Sequence, residues 1–356
     1  MSGLRQTRFS HPANRAAIMF RRLIPAILCS LFAGLPAAAQ EKDKPIEDKL
    51  IQSPADGWPL KMTYYKSTEG KEASVVVLMH MKGENRLMWT APKGFAEQLQ
   101  GKGFAVVAVD LRKHGQSKPG AENEDPKKAS TDKSKKSTAG ADLKPADYQL
   151  MVRDMDGIKK FIFDEHQNGN LNMRKTAIVA PGMSAAIGVT FAAADWQKVP
   201  YNDAPTLATR TPRGQDVQAM VFLSPDTTLP GVPAHLVTPQ FRSTGIPMAS
   251  LILVGKTDPQ DKDQAKQLFI QLGGDPAKTV ASKKPEPKKA GQDKEPEKET
   301  KERLFYIEVN AKLRGTELIG KRLGIEDAIT SFLHDHVQTL KGPEYEWRNR
   351  QSRLLE

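Results

Sequence analysis

Short apolar runs alternate with helical patterns along most of the chain. Runs of β-branched and other apolar residues, bounded by glycine, proline or polar residues, are typical of strands buried on both faces of a sheet. The predicted strands are 60–66, 74–80, 104–110, 176–180, 217–223, 249–254 and 304–309. Apolar residues recur at helical spacing between several of them, in 95–100, 148–163 and 325–340. This alternation predicts an α/β fold with a mostly parallel central sheet flanked by helices.

The predicted elements occupy one large domain, residues 58–342 of the 356-residue chain. Two lysine-rich stretches of mixed charge, 118–144 and 276–303, interrupt it. They lack the apolar residues that would offset the entropy of ordering the chain, so we expect disordered insertions. In this division residues 40–57 are an N-terminal extension and 343–356 are a C-terminal tail.

The first 39 residues have the pattern of a cleaved export signal. Arg21 and Arg22 precede an apolar run, 23–35, and three alanines follow it at 37–39. The run is too short to span a bilayer, and a polar, charged stretch follows, which argues against a stable membrane anchor. We therefore expect cleavage near Ala39 and a periplasmic or secreted protein, with Met19 as an alternative start.

Composition narrows the range of partners. The net charge is +11, and removing the five arginines of the predicted signal lowers it to +6. Much of the remaining lysine lies in the mixed-charge insertions and not along one face, so we expect no nucleic-acid partner. The insertions could instead contact an anionic surface of the cell envelope. The one cysteine, Cys29, lies in the predicted signal, so the mature chain would need no disulfide.

No metal site or cofactor is expected. On a helix, the two histidines of the His334-Asp335-His336 segment would point about 200° apart and could not share an ion. Among the other histidines, His114 and His166 are expected in a turn and at the surface.

The segment that follows the strand 176–180 has the pattern of a serine nucleophile. Residues 182–186 join this apolar strand to a helix rich in small residues. A nucleophile in so sharp a turn needs small residues two positions before and two positions after it. Gly182 and Ala186 meet that condition around Ser184, which is therefore the predicted nucleophile. A serine that caps the helix is the alternative.

From residue 58 to residue 340, outside the insertions, the order of parts resembles the α/β-hydrolase superfamily, particularly its dienelactone-hydrolase-like and small esterase members. Besides the segment 182–186, the resemblance rests on residues 78–83, 110–117 and 253–259. It implies the α/β-hydrolase fold, and it implies that the connection 196–212 forms a cap over the pocket. A small ester, or an ester-like molecule, is the implied ligand.

The resemblance also implies roles for individual residues. Asp258 would be the acid of a catalytic triad, orienting a histidine and stabilising its cation. The backbone N–H groups of Met81 and Ala185 would form the oxyanion hole. The family's histidine lies in a His-Gly-Thr type turn before the last helix, and in this chain Arg314 holds that place. Arginine keeps its proton at working pH, so it cannot act as a general base.

Two functions remain open. The first is an exported hydrolase-fold protein, derived from a serine esterase and catalytically impaired, which acts in ligand binding or assembly and pairs Arg314 with Asp258. The second is an active carboxylic ester hydrolase that uses Ser184 and Asp258 with a non-standard base. The candidates for that base are His80, His235 and Lys312. A cell-envelope scaffold built on the lysine-rich insertions is a third, weaker alternative.

Overall fold

The computed structural model describes residues 45–121, 142–275 and 302–355. The predicted export signal and the central parts of both predicted insertions, 122–141 and 276–301, lie outside these described residues. In the described part, no helix is long and apolar enough to cross a membrane.

An eight-stranded sheet organises the described residues. The strands are β1 (Ile46–Gln52), β2 (Pro59–Tyr65), β3 (Val75–Leu78), β4 (Ala105–Val109), β5 (Thr176–Pro181), β6 (Val217–Leu223), β7 (Ala249–Gly255) and β8 (Leu304–Val309). Their order in the sheet is β1-β2-β4-β3-β5-β6-β7-β8. The pairs β1–β2 and β2–β4 are antiparallel, and the pairs from β4 through to β8 are parallel. The predicted strands are therefore present and the sheet is mostly parallel, while β1 lies in the segment predicted as an extension.

Helices cover both faces of the sheet. In the described residues they are α1 (Leu87–Thr90), α2 (Phe95–Gly101), α3 (Pro145–Gln167), α4 (Ser184–Trp196), α5 (Ala234–Ser243), α6 (Gln264–Gln271) and α7 (Ile325–Leu333). A π-helical turn, His334–Gln338, continues α7. Helices α5 and α6 were not predicted, because Pro239 interrupts the pattern of α5 and α6 is only eight residues long.

Alternate residues of the central strands pack into different layers. Val75 and Val77 of β3 belong to an apolar cluster with side chains of α3 to α6, whereas Val76 and Leu78 pack with α2 and α7. Burial on both faces explains why the strands read as continuous apolar runs. The α/β class and the flanked, mostly parallel sheet are thus confirmed.

The C-terminal segment, residues 343–355, packs against the domain. Arg350 is 3% exposed and pairs with Asp216, with Nη1 2.7 Å from Oδ1. Trp347 Nε1 donates to the backbone carbonyl of His166 at 3.0 Å. The segment predicted as a tail is therefore part of the folded body.

His114 lies in a turn as predicted, but the expected surface position is wrong, because the side chains of His114 and His166 are each 0% exposed. The His114 ring packs against His80 with centroids 4.9 Å apart, and its Nδ1 donates to Arg112 O at 2.9 Å. His166 Nε2 hydrogen-bonds Arg348 O of the C-terminal segment at 2.8 Å. Residues distant in sequence cover both rings: His80 packs on His114, and the backbone at Arg348 covers His166.

Candidate functional site

Turns from five parts of the chain meet at the carboxyl edge of the sheet. They follow β3, β5, β6, β7 and β8. The residues that approach one another there are Met81, Gly182, Asp226, Asp258 and Arg314. The carboxyl edge is where open α/β sheets bind their ligands, so it is the candidate site.

The strained residue of the turn between β5 and α4 is Gly182, not Ser184. Gly182 has φ +52°, whereas Ser184 is the first residue of α4. Ser184 is fully buried, and its Oγ donates to Pro181 O at 2.7 Å. A nucleophile needs its hydroxyl exposed at the top of the strained turn. The predicted register of this turn is therefore two residues too far along the chain.

The small-residue rule fits both registers. Ala180 and Ser184 flank Gly182 by two positions in the same way that Gly182 and Ala186 flank Ser184. The strand decides between them, because β5 runs through Pro181, one residue past the predicted end. The sequence thus contained the correct small-residue pattern around Gly182, but it did not show where strand β5 ends.

Arg314, at the predicted place of a triad histidine, bridges two carboxylates. Its Nη1 lies 2.8 Å from Asp258 Oδ2, and its Nη2 pairs with Asp226 Oδ1. Arg314 and Asp258 are each 9% exposed. Desolvation raises the pKa of Asp226, and the positive charge of Arg314 opposes that shift. The expected pairing of Arg314 with Asp258 is present. Asp226 was missed, although it follows the end of β6 by three residues.

His80 has both ring nitrogens engaged and is unsuited to act as a base. Nδ1 donates to Met81 O at 2.8 Å, and Nε2 accepts from the backbone N–H of Leu111 at 2.9 Å. Burial lowers the pKa of His80 to about 4. The neutral ring is a structural link between the loops that follow β3 and β4.

The other candidate bases lie at the surface. His235 is exposed on the first turn of α5, and Lys312 is exposed before Arg314. In the part of the chain that the structure describes, no hydrogen bond joins His235 or Lys312 to Ser184 or Asp258. The structure does not bring these groups into one site.

The predicted oxyanion donors have other partners. The Met81 N–H donates to Glu84 Oε2 at 3.1 Å, and the Ala185 N–H donates to Gly182 O at 3.1 Å. Glu84 Oε1 accepts from Thr316 Oγ1 at 2.6 Å, so this carboxylate ties the loop after β3 to the turn after β8. A fixed carboxylate at a donor of the oxyanion hole would repel a developing negative charge.

The Met81 side chain fills the space between the two turns. A Cβ built on Gly182 would lie 3.2 Å from Met81 Cγ, and one built on Gly315 would overlap Met81 Sδ. Thr316 Oγ1 also lies 3.3 Å from that sulfur. The thioether therefore packs against both the turn after β5 and the turn after β8.

The segment predicted as a cap is mostly irregular. The connection 196–212 contains a short 3-10 helix, Leu207–Thr209, and exposes Val199 and Leu207, each 69% accessible. Among the described residues, no group of three or more histidine, cysteine, aspartate or glutamate side chains is placed to hold a metal ion.

Comparison with known proteins gives structural matches alone. No family model matches the sequence, and no curated protein matches it. DcsB, solved in complex with an analogue of its substrate, is 13% identical over 82% of this chain and 99% of its own, with a TM-score of 0.50. An acylaminoacyl peptidase from Pyrococcus horikoshii is 12% identical over 85% of this chain and 43% of its own, also with a TM-score of 0.50. The dienelactone hydrolase from Anabaena variabilis is 14% identical over 82% and 97%, with a TM-score of 0.45.

The chain has the α/β-hydrolase fold. At these identities the likeness concerns the fold, and the chemistry must be argued from the site itself. The α/β-hydrolase fold presents a nucleophile at the turn that follows β5 and takes oxyanion donors from that turn and from the loop after β3. Here the first position is Gly182, which has no side chain, and the loop donor at Met81 is occupied by Glu84. Asp258, the residue predicted as a triad acid, is paired with an arginine.

Proposed function

We propose that this protein is an exported α/β-hydrolase-fold protein, derived from a serine esterase, that no longer cleaves esters and acts by binding a ligand or partner. The observation that carries the proposal is Gly182 at the apex of the turn after β5, beside an arginine held between Asp226 and Asp258. A serine ester hydrolase needs an alcohol at the first position and a proton acceptor at the second, and this site has neither.

The size of the expected loss of turnover supports a non-catalytic role. In a serine protease, removing the nucleophile or the base alone lowers turnover by roughly a millionfold. What remains comes from the oxyanion hole and from substrate binding, about a thousandfold or more over water. The Met81 N–H that would serve the hole is bonded to Glu84, so this residual contribution should be small as well.

A fluorophosphonate probe tests the absence of an activated serine. The wild-type chain should not be labelled and should not hydrolyse p-nitrophenyl esters faster than buffer does. An active hydrolase that uses Ser184 would instead be labelled, and Ser184→Ala would abolish the labelling. The matched control is Ser331→Ala, at an exposed serine of α7. Labelling lost in the first variant and kept in the second would refute the proposal.

A second test asks whether Gly182 or Ser184 stands at the apex of the turn after β5. Arg314→His supplies a base with no alcohol beside it, so this variant alone should stay inactive. Gly182→Ser combined with Arg314→His and Met81→Ala supplies both groups and removes the side chain that packs against Gly182. If labelling appears in the triple variant, it should survive addition of Ser184→Ala. Labelling of Arg314→His at Ser184 would show that the apex is Ser184 after all.

Export is the other part of the proposal. It is supported by the arginine pair, the apolar run and the three alanines at the start of the chain. Expression of the full chain in a bacterial host, followed by N-terminal sequencing of the periplasmic fraction, should find a new terminus near Gln40. Full-length protein confined to the cytoplasm would contradict this part and leave the chemical argument untouched.

A further inference from the structure

A cavity with charged walls lies at the amino edge of the sheet, on the opposite side from the candidate site. Its volume is about 210 Å³, and it is bounded by the starts of β6 and β7, the approach to β8 and the end of the last helix. Ligands of open α/β sheets normally bind at the carboxyl edge, so a cavity at the amino edge is not the usual ligand site of the fold.

The walls of this cavity are fixed by hydrogen bonds. Asn172 Nδ2 donates to Tyr345 O at 2.8 Å, which holds the C-terminal segment in place beside the cavity. Arg303 Nη1 donates to Pro247 O at 2.6 Å, which joins two other lining residues. A site whose walls are already in place loses less conformational entropy when a ligand binds.

A π-helical turn forms a third wall. His334–Gln338 adopts this conformation, and its residues Asp335 and His336 line the cavity. The His336 ring packs on Phe332 with centroids 4.9 Å apart, which orients this part of the wall. Single π-helical turns are rare and occur frequently at functional sites.

The lining charges define the ligand. Arg303 and Lys341 are exposed cations of the lining and Asp335 is its one carboxylate, so the net positive charge of these groups matches a single anionic group better than two. Tyr345 and Pro247 supply apolar surface. A cavity of about 150 Å³ is enough to hold a benzene ring.

We propose that this cavity binds a small aromatic monocarboxylate, with the carboxylate at Arg303 and Lys341 and the ring against Tyr345. Guanidinium and ammonium groups form their strongest hydrogen bonds with carboxylates. The site is independent of the proposed loss of ester hydrolysis, because it shares no residue with the carboxyl edge of the sheet.

The test uses 4-fluorobenzoate and the full chain, with binding followed by fluorine NMR. The wild type should bind this probe saturably, and the uncharged 4-fluorobenzamide should bind at least about tenfold more weakly. Arg303→Gln and Lys341→Gln should each weaken binding by about tenfold, as expected for the loss of one charge-assisted hydrogen bond. Lys266→Gln, at an exposed lysine of α6, is the matched control and should bind as the wild type does.

A variant that fills the cavity separates this site from others. Thr339 lines the cavity and is exposed, so Thr339→Phe should block it and leave the circular dichroism spectrum unchanged. Loss of probe binding in this variant supports the proposal. The proposal is overturned if the probe does not bind the wild type at millimolar concentrations, if the amide binds equally well, or if Thr339→Phe still binds the probe.

Discussion

At the residue scale, the Met81 side chain limits which residues fit at one position in each of two neighbouring turns. Its side chain lies against the positions where a Cβ would stand on Gly182 and Gly315. Both glycines have φ near +52°, which already disfavours any other residue. Packing and backbone conformation therefore act together at the candidate site, and the two effects can be separated by substitution.

The first prediction concerns Gly315→Ala. The left-handed backbone should cost about 1 kcal/mol of unfolding free energy, and the overlap with Met81 Sδ should add about 1–3 kcal/mol. Gly320→Ala is the matched control, since Gly320 has φ +76° and no atom within 4 Å of an added Cβ. Urea unfolding measures both variants.

In a Met81→Ala background the cost of Gly315→Ala should fall to that of Gly320→Ala, because the overlapping sulfur is gone. An undiminished cost would show that Met81 is not the source of the strain.

The second prediction concerns the buried histidines. Burial lowers the pKa of His80 to about 4, and burial together with the nearby His80 lowers the pKa of His114 to about 3. The unfolded chain takes up protons near pH 6.5, before the folded chain does. The contribution of these two histidines to the unfolding free energy should therefore be complete above pH 6.5 and should decrease as the pH drops from 6.5 toward 4.

Chemical unfolding from pH 7.5 to pH 4.5 measures this dependence. His80→Gln should unfold more easily at neutral pH and show a shallower loss toward acid, because the variant has one fewer buried group to protonate. His334→Gln, at an exposed histidine, should keep the wild-type slope. Equal slopes for the wild type and His80→Gln would rule out this origin of acid sensitivity.

At the element scale, the C-terminal segment 343–355 is held by a buried ion network. Arg350 reaches Asp216, which also lies 2.7 Å from Lys159. Burial disfavours the charge on Asp216, but the cations Arg350 and Lys159 outweigh it and hold the pKa of Asp216 well below its usual range. This network fastens the segment to the amino end of β6.

The third prediction is that Arg350→Met lowers the unfolding free energy by about 3 kcal/mol, at the low end for a broken buried pair because Lys159 remains. This decrease in unfolding free energy should have its complete size above about pH 4, where Asp216 is ionised in the unfolded chain, and should become smaller at lower pH. Arg353→Met is the control at an exposed arginine and should cost less than about 0.5 kcal/mol. Similar costs for the two variants would mean that the buried pair does not fasten the segment.

At the scale of the whole molecule, the sheet and its helices are built from the residues on either side of 122–141 and 276–301. Strand β4 precedes the first of these stretches and α3 follows it, while α6 precedes the second and β8 follows it. The entropy of closing a loop changes only slowly with the length of the loop.

The fourth prediction is that short glycine-serine linkers can replace both stretches. The unfolding free energy should change by no more than about 1 kcal/mol, and thermal unfolding should stay cooperative. The same variant tests an envelope contact: if the lysines mediate it, sedimentation with anionic lipid vesicles should be lost. Failure of the shortened chain to fold would mean that the stretches take part in the core.

The elements with the strongest patterns were predictable. Val75 and its neighbours form a continuous apolar run because β3 is buried on both faces, and the same holds for β5 to β7. Strand β1 was missed since it lies at the edge, where its residues alternate between partial and full exposure. Helix α5 was missed because of Pro239.

The sequence by itself determined the layered α/β fold, the absence of a histidine before the last helix and the presence of Asp258 after strand β7, since these depend on residue type and local pattern. The tertiary structure alone decided which residue stands at the apex of the turn after β5. A shift of two residues keeps the same small-residue spacing, and only the point where strand β5 ends distinguishes Gly182 from Ser184. The tertiary structure also brought Asp226, Glu84 and Met81 to the site, because their partners lie far away in the chain and approach only when the strands pair.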